Sequence, residues 1–191
     1  MKKYIVWIVL AVILLWAWSG YNGLIKSSEN VNEAWSNVET QYQRRGDLID
    51  NLVSTVKGAA EFEKSTLTDV IEARSKATRI TVDAKDLSPE KLQEFQRAQA
   101  QVSGALGRLL AVAENYPQLK SLENFRDLQS QLEGTENRIA ESRRLFNEAA
   151  RNYNVAIAKF PRVFLARMFG FNSKPYFQSD PGTEKAPDVK F

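Results

Sequence analysis

The chain has 191 residues, of which 43% are apolar and 26% charged, a composition typical of one folded domain of ordinary size. It contains no cysteine and no histidine, which excludes thiolate and imidazole metal ligands, cysteine nucleophiles and Ser-His-Asp triads. The formal net charge is +3, and Lys2 and Lys3 carry two of these charges, so no basic surface for nucleic acid remains. We therefore expect no metal, no cofactor and no nucleic acid partner.

Residues 4–18 read YIVWIVLAVILLWAW and contain no charge. Continued to Ile25, the apolar helix would extend about 33 Å, enough to cross a hydrocarbon core of about 30 Å, and Lys26 closes the span. We therefore predict a membrane anchor at residues 1–26. Its aromatic anchor residues, of the kind that favour membrane interfaces, are Tyr4, Trp7, Trp16, Trp18 and Tyr21.

The same segment has an alternative interpretation as a cleaved signal peptide, with Lys2 and Lys3 before the apolar stretch and Ala17-Trp18-Ser19 as the cleavage site. The bulky tryptophans beside that site and the helical pattern that soon follows favour a retained anchor. Two lysines before the span against Lys26 after it favour an extracytoplasmic position for the following chain. We expect a single-pass membrane protein.

Heptad spacing of three and four residues predicts a long helix after the anchor. Its repeat positions are Val31, Trp35, Val38, Tyr42, Arg45, Ile49, Leu52 and Val56, and then, after a four-residue step, Ala60, Glu63, Leu67, Val70, Arg74 and Ala77. The extra residue is a stutter at Gly58. We expect one continuous helix to about Ala77, locally unwound at this glycine.

Two further helices follow from their end signals. Ser88 and Pro89 supply an N-cap and a first-turn proline, and Pro117 ends this second helix. The third helix runs from Leu122 to Phe160 and stops at Pro161. The chain is thus predicted to be all-α, with a transmembrane helix, a coiled-coil-like antiparallel bundle of three main helices at 27–160, and a short amphipathic helix at 161–171. Prolines predict an extended or disordered tail at 172–191.

Residues 160–171 read FPRVFLARMFGF and allow two interpretations. An interfacial amphipathic helix would contact lipid through Phe164, Arg167 and Phe169. Alternatively, the segment is a short helix that caps the bundle.

Several motifs resemble those of the LemA family of bacterial membrane-anchored proteins. Residues 43–53, QRRGDLIDNLV, are similar to that family's RR-x-DLI-x-NLV signature, and residues 113–120, AENYPQLK, are similar to its AENYPxLK stretch. The resemblance continues through LEGTENRI at 132–139 and Phe160-Pro161 to Tyr176-Phe177, and so covers nearly the whole chain. It implies an amino-terminal membrane helix, an all-helical domain and no catalytic residues. It also implies an external amino terminus, opposite to the orientation that Lys2 and Lys3 favour.

Charged residues occupy five heptad positions that are normally apolar: Arg45, Glu63, Arg74, Glu136 and Arg143. Such side chains either extend to the solvent or pair to fix the register of the helices. If the first helix rises to Ala77, the second descends and the third rises, Glu136 lies level with Arg74. We therefore predict an ion pair between Glu136 and Arg74.

The same arrangement leaves two apolar stripes without an intrachain partner, one near the membrane and one at the far end of the third helix. Exposed stripes of this kind are typical of association surfaces. They comprise Val31, Trp35, Val38, Tyr42, Phe146, Tyr153 and Phe160. We expect self-association or binding to other membrane or envelope proteins; the alternative is that loop and tail cover these faces.

The leading functional prediction is a structural or protein-interaction module without enzymatic activity. The enzymatic alternative would need a carboxylate pair, but Glu61 and Glu63 point about 200° apart on a helix. Glu133 and Glu136 share a face, as solvated helical glutamates often do, and no small-molecule substrate follows from them. The other alternative is a lipid-responsive membrane-surface protein that uses residues 160–171.

Overall fold

A computed structural model of the chain describes residues 2–58 and 63–178. Its regular structure is helical throughout these ranges, apart from a single 3-10 turn at Ala84–Asp86. The helices are α1 (Lys2–Lys57), α2 (Lys64–Arg79), α3 (Pro89–Ala113), α4 (Pro117–Ser121), α5 (Glu123–Ala158) and α6 (Arg162–Met168). The predicted all-α class and the long apolar first helix are confirmed. Glu61 and the last part of the predicted tail, 179–191, lie outside the described residues.

Helix α1 has 56 residues and is therefore about 84 Å long. Residues 3–16 are exposed around the whole circumference, and burial begins only at Gly20, Leu24 and Val31. The apolar segment thus projects from the bundle, whereas the second half of the same helix forms part of the core. Within the described residues, α1 is the one helix long and apolar enough to cross a membrane.

The chain reverses direction after Gly58, so the prediction of one helix running on to Ala77 was wrong. Helix α2 returns antiparallel to α1, with Arg74 Nη2 at 2.5 Å from Asp50 Oδ2 and Trp35 Nε1 donating to the Val82 carbonyl oxygen. Glycine is a poor helix former, costing about 1 kcal/mol relative to alanine. The reversal also buries Leu67 and Val70 in the cluster that contains Leu52.

The reversal changes the direction of every later helix. If α1 is taken to run upward from its amino end, helix α3 also runs upward, beside the upper half of α1. Helix α3 starts at the predicted cap, where the Ser88 hydroxyl accepts a hydrogen bond from the Lys91 amide at 3.2 Å. Helix α5 then descends antiparallel to α1. The described bundle therefore has four long helices where three were predicted, with α1 packed closely on α5 and α2 on α3.

The descent of α5 closes the two stripes that were predicted to be open. Val31, Trp35 and Val38 are buried in one cluster with Phe146 and Tyr153, and Tyr42 packs partly buried against it. The Trp35 ring lies 5.6 Å from the Phe146 ring, between centroids. Of the predicted association residues, only Phe160 is strongly exposed, at 80%. The stripes are thus an internal core, and the argument for self-association that rested on them was wrong.

Phe146 and its neighbour Leu145 provide a matched pair for testing this lower core. Phe146 is fully buried and Leu145 is 45% exposed. Phe146→Ala should lower the free energy of unfolding by about 3–5 kcal/mol because it removes a buried ring and leaves a cavity. Leu145→Ala should change it by about 0.5 kcal/mol or less. Thermal unfolding followed by circular dichroism in the same detergent measures both, and equal losses would contradict the packing described.

Candidate functional site at the lower end of the bundle

The lower end of the bundle, where α1 enters it at residues 17–26, is covered by α6. Leu165 and Ala166 of α6 are buried against Leu24 of α1. Gly20 faces them so closely that a Cβ atom placed on it would lie 2.8 Å from Leu165 Cδ1. A glycine at this position therefore allows α6 to lie directly against the apolar helix, at the level where its exposed segment ends.

The other face of α6 is apolar and exposed. Phe164 and Met168 are 63% and 68% exposed, and Phe160 and Phe169 flank them as further exposed rings. The Phe169 ring lies 4.8 Å from that of Tyr21, between centroids. The apolar surface of α1 thus extends sideways onto α6, and Phe164, predicted to contact lipid, lies on this extension.

The segments that form this end of the bundle carry four exposed bases: Lys26, Lys159, Arg162 and Arg167. The guanidinium of Arg162 lies close to α1, because a Cβ atom on Gly23 would be 3.8 Å from its Nη2 atom. Aromatic rings beside flexible bases are the combination by which interfacial helices hold lipid headgroups over their acyl chains. One face of α6 therefore caps the bundle, as one of the two alternatives for residues 160–171 predicted, and contact of the other, exposed face with lipid stays a prediction.

The segment after α6 runs back up the bundle, and we call residues 171–178 the strap. Asn154 Nδ2 donates to the Lys174 carbonyl oxygen while Asn154 Oδ1 accepts from the Lys174 amide, both at 2.8 Å. Asn147 makes the same two bonds with Phe177, at 3.1 and 2.8 Å. The predicted extended tail is thus non-helical over this part and is bound to α5 through its main chain.

Side chains fasten the strap as well. The Phe177 ring stacks on Trp35 at 5.9 Å and lies edge-on to Phe146 at 5.3 Å. Lys174 Nζ donates to the Ala84 carbonyl oxygen at 2.7 Å, and burial lowers the pKa of this lysine against the opposing effect of nearby aspartates. The strap therefore connects α1, α5 and the loop that precedes α3.

A buried arginine divides the core into a lower and an upper part. Arg45 is 2% exposed, and its Nη1 atom donates to Glu136 Oε1 at 2.9 Å and to Ser103 Oγ at 2.8 Å. Its Nη2 atom contacts both the side-chain and the carbonyl oxygen of Gln99, and the guanidinium lies 4.9 Å from the Tyr42 ring centroid. These contacts compensate the burial of the charge and align α1, α3 and α5.

The structure separates the other predicted charges at heptad positions. Arg74 pairs with Asp50 and not with Glu136, so the predicted Glu136 to Arg74 pair was wrong, because α2 descends and Glu136 lies level with Arg45. Glu63 accepts hydrogen bonds from hydroxyls in the first turn of α2. Arg143 reaches the strap, donating to the Gln178 carbonyl oxygen at 2.9 Å and lying over the Phe177 ring.

A cleft of about 230 Å³ lies between α1, α2 and α3, with Arg45 and Phe95 in its lining. Glu39 also lines the cleft, and burial raises the pKa of its carboxyl group, with the charge of Asp83 adding to the effect. Both arginines of the lining, Arg45 and Arg74, already have carboxylate partners. The cleft therefore carries charges of both signs, and its two arginines are already paired with carboxylates of the same chain.

Four residues of the lower end have contacts that the sequence argument did not predict: Gly20, Leu165, Asn147 and Asn154. The two asparagines stand seven residues apart on α5, each directly after a buried aromatic residue, Phe146 or Tyr153. This repeat places two amides at the edge of one helix face and was the available signal. The glycine had no comparable signal, because its partner lies on a helix distant in sequence.

These features define a class of protein, an all-helical bundle built on an apolar helix, with an amphipathic helix where the two parts meet. A family model described as the LemA family matches residues 34–191. The chain therefore belongs to the LemA family, and the resemblance seen in its motifs is confirmed.

Curated relatives include proteins named for the magnetosome. The chain is 31% identical over 182 residues to Magnetosome protein MamQ 2 of Paramagnetospirillum magneticum, with 84% of this chain covered. It is 30% identical over 182 residues to Magnetosome protein MamQ of Magnetospirillum gryphiswaldense, also with 84% covered. Each match spans 65% of the relative's length. Protein LemA of Metamycoplasma hominis is 25% identical over 158 residues, 83% of this chain and 68% of that protein.

The pairing of Arg45 can be tested with two double-mutant cycles that share one partner. Arg45→Met combined with Glu136→Gln should show a coupling energy of about 0.5–3 kcal/mol in the free energy of unfolding. The side chains of Arg74 and Glu136 have different partners, so Arg74→Gln with Glu136→Gln should be additive within about 0.5 kcal/mol. Coupling in the second cycle alone would reject the pairing described.

Proposed function

We propose that this protein is a single-pass, membrane-anchored structural or protein-interaction module. One observation carries the proposal: the helix that bears the exposed apolar segment is the same helix that forms the bundle core, without interruption from Lys2 to Lys57. An anchor of this kind holds the bundle rigidly at the membrane surface. The LemA family membership and the relatives named for the magnetosome support a membrane-associated structural role. The proposal includes no catalytic step.

Anchoring can be tested by placing charges in the exposed segment. Leu10→Arg with Leu14→Arg should release the protein from carbonate-washed membranes, because each arginine near the bilayer centre costs about 2.5–3.5 kcal/mol. Both leucines are exposed, at 45% and 69%, so the helical circular dichroism signal of the bundle should persist.

The matched control is Ile71→Arg, which changes a similarly exposed apolar residue on α2. This variant should stay in the membrane fraction. Retention of the double variant in washed membranes would contradict the anchor.

A second candidate function, lipid-responsive binding through α6, is supported by the exposed Phe164 and Met168 beside Arg162 and Arg167. Anionic headgroups would meet the guanidinium groups while acyl chains meet the rings. In this proposal the binding of α6 depends on the lipid composition next to the anchor, and this binding affects how the bundle contacts its partners.

Because the chain has no cysteine, single labels can report contact with lipid. A fluorophore on Phe164→Cys or Met168→Cys, in the full-length protein in liposomes, should be quenched by brominated acyl chains. A label on Leu145→Cys, higher on α5, should not be. Arg162→Gln with Arg167→Gln should weaken the preference for anionic lipid, as should high salt. Equal quenching at positions 164 and 145 would count against α6 as a lipid contact.

The side of the membrane stays a prediction. Lys2 and Lys3 favour an extracytoplasmic bundle, but the fold adds Lys159, Arg162 and Arg167 to Lys26 at the other end of the span. We retain the extracytoplasmic position as our proposal, because orientation depends on the bases close to the span in the sequence, where Lys2 and Lys3 outnumber Lys26. A membrane-impermeant maleimide applied to intact cells decides it, since Ser121→Cys at the exposed upper turn would react only if the bundle lies outside.

A further inference from the structure

The groove that holds the strap recognises an extended peptide chiefly by its main chain. Asn147 and Asn154 each use both amide atoms on the amide and carbonyl of one strap residue, at 2.8–3.1 Å. This is the pairing that an adjacent β-strand would provide, and here two side chains of a helix provide it. Arg143 and Gln96 both donate to the Gln178 carbonyl oxygen, so the upper end of the strap is also held by its backbone.

One side-chain pocket adds selectivity to this main-chain recognition. Phe177 is 6% exposed and lies between Trp35 and Phe146, with the Arg143 guanidinium 5.1 Å from its ring centroid. The ring is a large part of the strap's apolar contact, whereas Asn172, Ser173 and Tyr176 remain exposed. The groove therefore binds an extended segment with an aromatic residue three positions after a lysine.

The strap is joined to the rest of the chain by a short connection. Gly170, between α6 and the strap, has a positive φ of 73°, a conformation in which the direction of the chain changes readily at glycine. In an exchanged strap Lys174 pairs with Asn154 of the accepting groove, so the crossing is made by the four steps from Gly170 to Lys174, which extend about 13–14 Å. A bundle of helices packed 8–10 Å apart is roughly 20 Å across. A released strap cannot pass around a neighbouring bundle, but it can reach the groove of an adjacent molecule when the two grooves face each other.

We propose that the groove also accepts the strap of a second copy of this chain, so that neighbouring copies exchange straps. Every contact described for the strap can form again in the exchanged state, because each copy carries the same groove and the same segment. Copies anchored in one membrane share one orientation, which places each strap at the height of its neighbour's groove. This step rests on the proposed membrane anchorage. Confinement to the membrane raises the effective concentration of the second strap.

The experiment uses two full-length variants of the cysteine-free chain, reconstituted together in liposomes. The acceptor carries Gln96→Cys, beside the bound strap, and Phe177→Ala, which weakens its own strap. The donor carries Gln178→Cys, with Asn147→Ala and Asn154→Ala to release its strap. Mild oxidation should give a disulfide-linked heterodimer on a non-reducing gel. In the control, the acceptor also carries Asn147→Ala and Asn154→Ala, and the heterodimer should fall at least tenfold.

Two further measurements make a negative result decisive. A single chain with both Gln96→Cys and Gln178→Cys should form an intramolecular disulfide, which reports that the strap is docked and the bundle folded. Carbonate washing of the same liposomes tests the anchor separately from the exchange. Exchange is overturned if the heterodimer is absent, or is equally abundant with the control acceptor, while the intramolecular disulfide forms and the protein stays membrane-bound.

Discussion

The buried guanidinium of Arg45 determines how the helices of this protein lie against one another. Because this charge is only 2% exposed, it needs hydrogen-bond partners at its own level in the bundle. These partners are Ser103 on α3 and Glu136 on α5. Because Gln99 and Glu136 can meet Arg45 in one relative position of the helices, the contact fixes the axial register. The apolar clusters above and below Arg45 would tolerate a shift of one helix by one turn along its neighbour far more easily.

That register determines what happens at the lower end. With Glu136 level with Arg45, the antiparallel α5 reaches Gly20 to Leu24 of α1 as it ends, and α6 begins there. The exposed face of α6 is thus placed where the apolar segment leaves the bundle. The strap runs from there upward along α5, and its Phe177 ring stacks on Trp35. The position of the exposed α6 face and the position of the strap are consequences of one alignment.

The ends of the helices follow from the sequence, but the directions of the helices do not follow from the heptad pattern. Ser88, Pro117 and Pro161 mark helix ends by local chemistry, and the apolar run marks the exposed first part of α1, so these features could be predicted. Heptad spacing identifies the buried face of a helix but not its direction. At Gly58 a stutter within one helix and a turn between two helices give the same heptad pattern. Because a stutter was predicted, the direction predicted for every later helix was reversed.

The errors in the candidate site come from that one choice. Glu136 was paired with Arg74 and the stripe around Trp35 was left without a partner because α5 was taken to rise. Of the charged heptad positions, Arg45 is buried, and its burial is compensated by pairing with Glu136. The strap could not be deduced from periodicity, because main-chain bonds to Asn147 and Asn154 leave no pattern in the strap's own sequence.

Because α1 is one continuous helix, its apolar first part and the part inside the bundle tilt together as a rigid unit. From Gly20 to Lys57 the helix is about 57 Å long, so a tilt change of about 10° in the bilayer displaces the far tip by roughly 10 Å. Membrane spans tilt by such angles when hydrocarbon thickness varies. In the anchored arrangement that we propose, a local thinning or thickening of the membrane would therefore move α4 sideways, several nanometres from the lipid, without bending at a hinge.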